Sequence, residues 1–489
     1  MRKPKGVFLP PLRAARPKRG DVYGALRDAV LQGVLSHGDR LPSTRKAAED
    51  YGVSRGLMEE VFGQLADEGF FERSVGRGTF VAARVAPLEH SSRRERRRSA
   101  NASRRGQVVA ANAACREPEN PRAFNAGTAD IREFPWRLWW RLQNRAAREL
   151  GHAAFGFADP RGLSNLREAI ARYLAQFRGI RCTAKQVIIF NSAQQALMAL
   201  AVLLLNRGDE VWIEDPCYLG ARAAFRLADA IPVPVPVDKE GIHVMAGLSR
   251  AARARLAYVT PSHQYPTGVA VSLERRFELL EWVKRSNSWV IEDDYDGEFR
   301  YAGQPLSPLY ALDTQARVFY LGTLSKSMFI SLRLAYLLIP EEFVEPITNI
   351  RTQMDGFTPP LPQMTMALFM DEGHFSSHLR KMSAVYGAKR KTLVDGLAPM
   401  AELGWTWSSN PAGVHLLVMH SKGDYVRAVR KASKLDLALL SRYRVARARS
   451  DGLFLRFGAL DVESLQAGAA ELVKLCGNLD RKCSGEVVR

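Results

Sequence analysis

The stretch YLGTLSKSMFISLRLAYLL, residues 320–338, carries the chemical feature that decides the fold of most of this chain. Lys326 stands in a largely apolar run, although lysine is rarely buried without a partner. An amine in such a run has a chemical use, because it can form a Schiff base with an aldehyde cofactor. Thr323, Ser325 and Arg333 supply hydroxyls and a guanidinium suited to a phosphate. Taken alone, the segment is explained more simply by a surface lysine on a strand-to-helix turn.

Three other segments favour a cofactor-binding lysine over a surface lysine, because each puts polar side chains after an apolar run. SWVI (288–291) leads into EDDYDGEFRY, VIIF (187–190) leads into NSAQQALMAL, and TPSHQYPTG occupies 260–268. A carboxylate in the first could pair with a protonated pyridine nitrogen, and a nearby tyrosine could hold the ring hydroxyl. In the second, Ser192, Ala193 and Gln194 would open a helix, whose N-terminus attracts a phosphate. All four segments follow strand ends, where ligands bind in open α/β sheets.

From Phe124 onward, helical patterns alternate with short apolar runs. This alternation predicts an α/β domain with a largely parallel sheet. The Pro-rich run IPVPVPVD, 231–238, predicts an edge strand or an extended connection. The apolar runs are Val187–Phe190, Val211–Ile213, Leu256–Val259, Trp289–Ile291 and Val318–Leu321.

Length and charge bound the class of protein. The chain has 489 residues, so at least two domains are expected. Its net charge of +19 suits a polyanionic partner such as DNA. No apolar stretch reaches the ~20 residues that span a bilayer, which predicts neither membrane insertion nor export. Scattered cysteines without a metal-binding spacing predict a reduced, cytoplasmic compartment and no metal site: Cys115, Cys182, Cys217, Cys476 and Cys483.

Residues 84–122 differ from the rest of the chain in composition. Between Arg84 and Arg116 there are nine arginines and only two acidic residues, Glu89 and Glu95. Such a like-charge block repels itself and cannot bury a core, so it predicts a flexible basic linker. The expected domains are therefore 1–83, a linker over 84–122, and 123–489.

The first 83 residues predict three helices and a β-hairpin. Apolar residues at helical spacing indicate a first helix over roughly 21–36. Ser43 is a good N-cap for a short second helix, and Ser54 for a third. Two short segments, GFFER and GTFVA, then flank Gly76 and Gly78 as a tight hairpin. Three helices and a β-wing form a winged helix-turn-helix.

We call this predicted winged helix-turn-helix, residues 1–83, the DNA reader. Several of its side chains stand where DNA would be contacted. The third helix would enter the major groove with Ser54 and Arg55 forward, where an arginine can grip a guanine edge or a phosphate. Ser43, Thr44 and Arg45 open the preceding helix, whose N-terminus favours a phosphate. Arg77 lies at the wing tip. Each arginine alone is typical of a solvated surface, but their joint placement favours DNA binding.

Residues 23–82, from YGALRDAVLQGVL to GRGTFVA, closely resemble the GntR family of bacterial regulators. The resemblance covers the whole reader. Leu57 departs from the small polar residue that the family often has there, which would alter one base or phosphate contact.

From about Phe124 to the C-terminus, the chain resembles fold type I enzymes that use pyridoxal 5′-phosphate (PLP), the aspartate aminotransferase superfamily. The resemblance implies that Lys326 bonds covalently to PLP, Asp293 faces the pyridine nitrogen and Tyr295 bonds the ring oxygen. It leaves open whether the adjacent Asp294 takes the role of Asp293. It further implies that Tyr218 stacks on the ring and that Arg456, in FLRFGAL, holds a substrate carboxylate.

Two departures bear on activity. Aminotransferases usually show NPTG, whereas this chain has Tyr265 in YPTG, so either His263 or Gln264 would have to replace the asparagine that contacts the ring. Asn191 and Ser192 replace residues that are usually Gly and Ser or Thr in the phosphate loop. Both departures weaken the expectation of full transaminase chemistry more than that of PLP binding.

A GntR-like reader joined to an aminotransferase-like domain resembles the MocR subfamily. The resemblance implies a head-to-tail homodimer that binds operator DNA and responds to PLP and a small amino compound. Two alternatives stay open: an active aminotransferase with an attached DNA-binding domain, and a DNA-binding protein with a PLP-free scaffold. The intact set of Lys326, Asp293, Tyr295 and Arg333 argues against the second.

Overall fold

The computed structural model describes residues 9–12, 17–74, 76–82, 103–110, 124, 129–303 and 306–483, and it divides into two units. One unit comprises residues 1–102 and the other residues 103–489. Most of the predicted linker lies outside the described residues. Within it, Arg104–Ala110 form helix α4, and Arg105 pairs with Asp229 at 3.5 Å. The predicted domain limits thus remain a prediction.

The first unit is a winged helix-turn-helix, as the sequence predicts. Its helices are α1 (Arg19–Leu31), α2 (Thr44–Tyr51) and α3 (Arg55–Asp67), and its antiparallel hairpin is β1 (Phe71–Ser74) with β2 (Gly78–Val81). One apolar core, which includes residues of all three helices and both strands, holds it together.

The local signals in this unit act as expected, with one exception. The Ser43 hydroxyl accepts a hydrogen bond from the Lys46 amide, and the Ser54 hydroxyl accepts one from the Leu57 amide. The first helix ends at Leu31, earlier than the predicted limit near 36. Gly33 there adopts a left-handed φ of 74°, which an α-helix does not allow.

The second unit is built on an eight-stranded sheet in the order β3-β10-β9-β8-β7-β4-β5-β6. Strands β4, β5, β7, β8 and β9 run parallel, and β10 is antiparallel to both of its neighbours. All five predicted apolar runs lie in strands, and the Pro-rich run forms β5 beside the short edge strand β6. The strands are β3 (Val187–Phe190), β4 (Glu210–Asp215), β5 (Ile231–Asp238), β6 (Gly241–Ile242), β7 (Leu256–Val259), β8 (Trp289–Asp294), β9 (Val318–Thr323) and β10 (Ala335–Leu338).

Helices cover both faces of this sheet and bury it in separate apolar clusters. In the described part of the chain, no helix is long and apolar enough to cross a membrane. The helices after α4 are α5 (Trp136–Leu150), α6 (Ser164–Tyr173), α7 (Ala193–Leu204), α8 (Leu219–Leu227), α9 (Val244–Ala251), α10 (Leu273–Ser286), α11 (Leu309–Leu312), α12 (Val344–Asp355), α13 (Pro360–Asp371), α14 (His374–Leu397), α15 (Gly423–Ala432) and α16 (Val462–Cys483).

A second, antiparallel sheet of four strands follows in the chain, in the order β11-β12-β14-β13. These strands are β11 (Thr406–Trp407), β12 (His415–His420), β13 (Ala438–Leu439) and β14 (Asp451–Arg456). The Asp215 carboxylate, at the end of β4, accepts hydrogen bonds from the Val445 and Ala446 amides at 2.8 and 2.9 Å. These bonds tie the connection between β13 and β14 to the carboxyl edge of the large sheet, where the candidate site lies.

Candidate functional site

The predicted DNA contacts lie on the surface of the first unit. Arg45, Arg55 and Arg77 are exposed, at the first turns of α2 and α3 and in the hairpin. Among the described residues, Arg45 forms one loose ion pair, with Glu49 at 3.7 Å. Since Ser43 and Ser54 cap the two helices through their side chains, their role in any DNA contact includes holding the helix ends in place.

In the second unit, Lys326 follows β9 by three residues, on a turn held by hydroxyls. The Ser325 amide donates to Thr323 Oγ1 at 3.3 Å, and the two hydroxyls lie 3.2 Å apart. Lys326 is half-buried. Arg333 leads into β10 with a left-handed φ of 54°, which costs free energy in a residue other than glycine and persists where the surroundings require it.

The structure separates the two adjacent aspartates that the sequence left open. Both aspartates have one buried oxygen without a partner, but Asp294 is paired with Arg178 and accepts from the Tyr320 hydroxyl at 2.5 Å. Asp293 accepts one hydrogen bond, from the Tyr258 hydroxyl at 2.6 Å, and its Oδ1 is buried without a partner. Burial raises the pKa of Asp293 to about 7, against the opposing effect of Tyr258. Asp293 therefore has an acceptor oxygen ready for an N–H donor.

Tyr295, His263 and Asp296 form one hydrogen-bonded group. The Tyr295 hydroxyl donates to the His263 carbonyl at 2.9 Å and lies 3.1 Å from His263 Nδ1. That ring nitrogen is also 2.9 Å from the Asp296 carboxylate. All three side chains are at the carboxyl edge of the sheet, where the ring-contacting group was expected.

Gln264, the other candidate for replacing the asparagine, is engaged elsewhere. Its amide nitrogen donates to Glu214 at 3.0 Å and to the Pro216 carbonyl at 2.9 Å, and its oxygen accepts from Thr267. Of the two alternatives, the geometry favours His263.

The predicted phosphate end is built around the start of α7. Ser192 caps this helix by accepting from the Gln195 amide at 3.2 Å, so Ala193 and Gln194 form its first turn. The side-chain Nε2 of Gln194 donates to the Gly220 carbonyl at 3.0 Å, and its Oε1 is buried without a partner. A Cβ on Gly220 would lie 2.2 Å from that oxygen and 2.5 Å from the ring of Tyr218. Only glycine fits there, between the helix start and the predicted stacking ring.

Arg456, the predicted carboxylate ligand, ends β14 and lies next to Tyr265. Its Nη2 is 3.2 Å from the Tyr265 hydroxyl and 3.4 Å from the Tyr443 hydroxyl. The Tyr265 hydroxyl thus lies toward Arg456.

These residues fit PLP. Lys326 offers an amine for the aldehyde, Asp293 a buried bare oxygen for a ring N–H, and the α7 start a cradle for the phosphate. A second buried carboxyl, Glu214, also has an oxygen without a partner. Burial raises its pKa to about 7.

Sequence reasoning missed several members of this site. Tyr258, Arg178, Glu214 and Tyr443 each contact a predicted residue from a distant element. None stands in a motif with its partner, so no local pattern could have indicated them.

Comparison with known proteins agrees with this geometry. The model for aminotransferase class I and II matches residues 130–466, and the model for bacterial regulatory proteins of the gntR family matches residues 18–81. The chain is 33% identical to the probable rhizopine catabolism regulatory protein MocR of Rhizobium meliloti, over 93% of each chain. It is 28% identical to the pyridoxine biosynthesis transcriptional regulator PdxR of Corynebacterium glutamicum, over 91% of this chain and 93% of that one.

Among solved structures, LysN, the α-aminoadipate aminotransferase of Thermus thermophilus complexed with N-(5′-phosphopyridoxyl)-L-leucine, is 26% identical. The match has a TM-score of 0.67 and covers 74% of this chain and 94% of that one. The chain therefore belongs to the MocR type of GntR-family transcriptional regulators, in which a DNA-binding winged helix-turn-helix is joined to a PLP-dependent, aminotransferase-like domain.

Proposed function

We propose that this regulator acts in the cytoplasm and binds operator DNA in a way that depends on PLP and a small amino compound. The observation that carries the proposal is the set of groups at the carboxyl edge of the large sheet. Asp293 lies at the end of β8 with an unpartnered oxygen, Lys326 follows β9, and Arg456 bonds to Tyr265 after β7, in a chain that also has a DNA-binding unit.

The cofactor site is proposed residue by residue. PLP, when bound, supplies an aldehyde that bonds to amines and a ring that withdraws electrons. Lys326 offers the amine, Asp293 accepts the ring N–H, Tyr295 binds the ring oxygen and Tyr218 covers the ring face. The phosphate would be held by Ser192, Ala193, Gln194, Thr323, Ser325 and Arg333.

The effector would bind next to the cofactor, with a carboxylate on Arg456. A ligand shifts a regulator only if it binds one conformation better than another, and couplings of about 1–3 kcal/mol are typical. The relatives named for rhizopine catabolism and pyridoxine biosynthesis are themselves regulators, which supports a regulatory use of this site.

On the DNA side, we propose that Ser43, Thr44, Arg45, Ser54, Arg55 and Arg77 contact the operator. A head-to-tail homodimer would present two readers, since dimeric helix-turn-helix proteins bind paired half-sites.

Titration of DNA binding tests this function. An operator would first be selected from random duplexes with the full chain. Its affinity would then be measured by fluorescence anisotropy without PLP, with PLP, and with PLP plus each of a panel of amino acids and amines. We expect PLP and at least one amino compound to change the affinity by roughly five- to 150-fold, the range that corresponds to about 1–3 kcal/mol.

The same panel separates the main alternative. Sustained conversion of an amino donor and an oxo acid, with operator affinity unchanged by PLP and by every compound, would favour an aminotransferase with an attached DNA-binding domain.

A further inference from the structure

The guanidinium of Arg456 is hydrogen-bonded to the hydroxyls of two tyrosines. Its Nη2 lies 3.2 Å from the Tyr265 hydroxyl and 3.4 Å from the Tyr443 hydroxyl. A guanidinium only donates, so both phenol oxygens accept from it. Each phenol therefore keeps its own proton to donate to a further oxygen. Arg456 and the phenol pair therefore form a group of donors suited to one carboxylate.

Aromatic packing fixes the position of Tyr265. Five rings surround it at centroid distances of 5.4–5.9 Å, all in steep, edge-on arrangements. Such arrangements are the favoured geometry of aromatic pairs, so the Tyr265 ring is held with its hydroxyl toward Arg456. The five rings belong to Tyr218, Tyr295, His415, Tyr443 and Phe454.

Two side chains that form walls beside Arg456 carry no charge, namely His415 and Phe454. His415 faces Arg456 across the β12–β14 pair, and Phe454 lies under the guanidinium at 5.3 Å. Burial, together with the charges of His263, Arg456 and Lys326, holds the pKa of His415 well below its usual value, so this imidazole is neutral. A second carboxylate placed against these walls would lose its hydration without gaining a cation.

We propose that Tyr265 and Tyr443 join Arg456 in a single carboxylate site, and that its aromatic walls select amino compounds with one carboxylate and an uncharged body. This inference rests on the proposed function, since it names the class of effector that the regulator takes. It also gives Tyr265 a role of its own, in place of the cofactor contact made by the asparagine of related enzymes.

Three ligands of matched shape test the site in the PLP-loaded full chain. L-norvaline and butylamine differ only by the carboxylate, and L-glutamate differs from L-norvaline only by a second, terminal carboxylate. Dissociation constants come from the change in the cofactor's visible absorbance, without DNA. We expect L-norvaline to bind at least about tenfold more tightly than either of the others, because a charged hydrogen-bonded group contributes about 1.5–3 kcal/mol.

Removal of single hydroxyls tests the phenols. Tyr265→Phe and Tyr443→Phe should each reduce the preference for L-norvaline over butylamine by about tenfold or more, since one hydrogen bond to a charged group contributes about 1.5–3 kcal/mol. Binding of butylamine itself should not change, because it has no carboxylate to lose. The control is Tyr425→Phe, whose hydroxyl bonds to the Cys476 carbonyl between α15 and α16; it should keep the wild-type preference.

The inference is wrong if both phenol variants keep the wild-type preference, if Tyr425→Phe lowers it equally, or if L-glutamate binds as tightly as L-norvaline. Because no DNA is present, these results stand apart from the regulatory proposal. Suppose that the carboxylate preference depends on the two phenols but no compound alters the operator affinity. That result would support the carboxylate site and contradict the proposed regulation of DNA binding.

Discussion

At the scale of single residues, the environment gives chemically identical groups different properties. Asp293 and Asp294 are neighbours in β8, and each has one buried oxygen without a partner, yet only Asp294 is paired with a cation, Arg178, among the described residues. Burial therefore raises the pKa of Asp293 to about 7. Ionised Asp293 therefore destabilises the folded PLP-free protein, and a ring N–H donor of bound PLP would remove this effect.

The variant Asp293→Asn should stabilise the PLP-free protein while weakening PLP binding. A carboxyl with a raised folded pKa holds its proton in the folded state after the unfolded chain has lost it. Wild-type stability is therefore lost as pH rises from about 4, the ordinary value for aspartate, to about 7. The advantage of the asparagine in thermal unfolding should grow from pH 5 to pH 8, by a few degrees at most.

The matching measurement is PLP affinity at pH 8, which should fall about tenfold or more in Asp293→Asn because the amide cannot pair with a ring cation. Equal midpoints for both proteins at every pH would show that Asp293 is not desolvated.

Replacement of Arg45 and of Arg55 should affect DNA binding in different ways. If Arg45 binds phosphate, Arg45→Ala weakens DNA binding at all sequences and lowers the salt dependence by about one ion. If Arg55 reads a base, Arg55→Ala costs about 1–3 kcal/mol at its own base pair and relaxes specificity there. Anisotropy over a salt series, on operator and scrambled duplexes, distinguishes the two. If both variants bind DNA as the wild type does, the DNA-contact surface lies elsewhere on the reader.

At the scale of elements, the cofactor site depends on the close approach of α7 and α8. Gly220, in the first turn of α8, is the contact point, because an added Cβ would meet both Gln194 and Tyr218. The sequence gives this glycine no special pattern. Its requirement comes from two helices that start beside each other at one sheet edge.

Gly220→Ala should therefore lower PLP affinity by about tenfold or more, because the methyl group displaces the stacking ring, the helix start or both. The far-UV circular dichroism should stay unchanged, since alanine favours a helix. A matched control is Gly477→Ala in α16, where a Cβ meets nothing within 4 Å. It should bind PLP normally and gain up to about 1 kcal/mol of stability. Equal PLP affinity of the two variants would contradict the packing argument.

At the scale of the whole molecule, two units with separate cores carry the two halves of the function. Lys326 belongs to one and the DNA contacts to the other. Lys326→Ala should lose the visible absorbance of covalently bound PLP and the response to amino compounds, yet still bind operator DNA with the affinity of the PLP-free wild type. Absorbance scans and anisotropy on one preparation check both. A variant that binds no DNA although its reader is folded would show that the lysine acts on DNA binding by another route.

The sequence alone determined the features that depend on residues close together in the chain. The caps Ser43 and Ser54, the parallel strands of the larger unit and the turn that carries Lys326 all follow from local pattern, because the period of apolar residues and the chemistry of helix ends are set by near neighbours. The end of α1 was the exception, since Gly33 stops a helix that the apolar pattern would have continued.

Only the tertiary structure decided how the site's side chains are partnered. Tyr258 and Asp293 are 35 positions apart, Arg178 and Asp294 are 116, and Tyr265 and Arg456 are 191. Each pair meets because separate strands and loops converge at one sheet edge, and the packing of the whole domain sets that convergence. The ion pair that distinguishes Asp294 from Asp293, the bonds that engage Gln264 and the bond between Tyr265 and Arg456 therefore lay beyond any local pattern, since burial and long-range contacts create them.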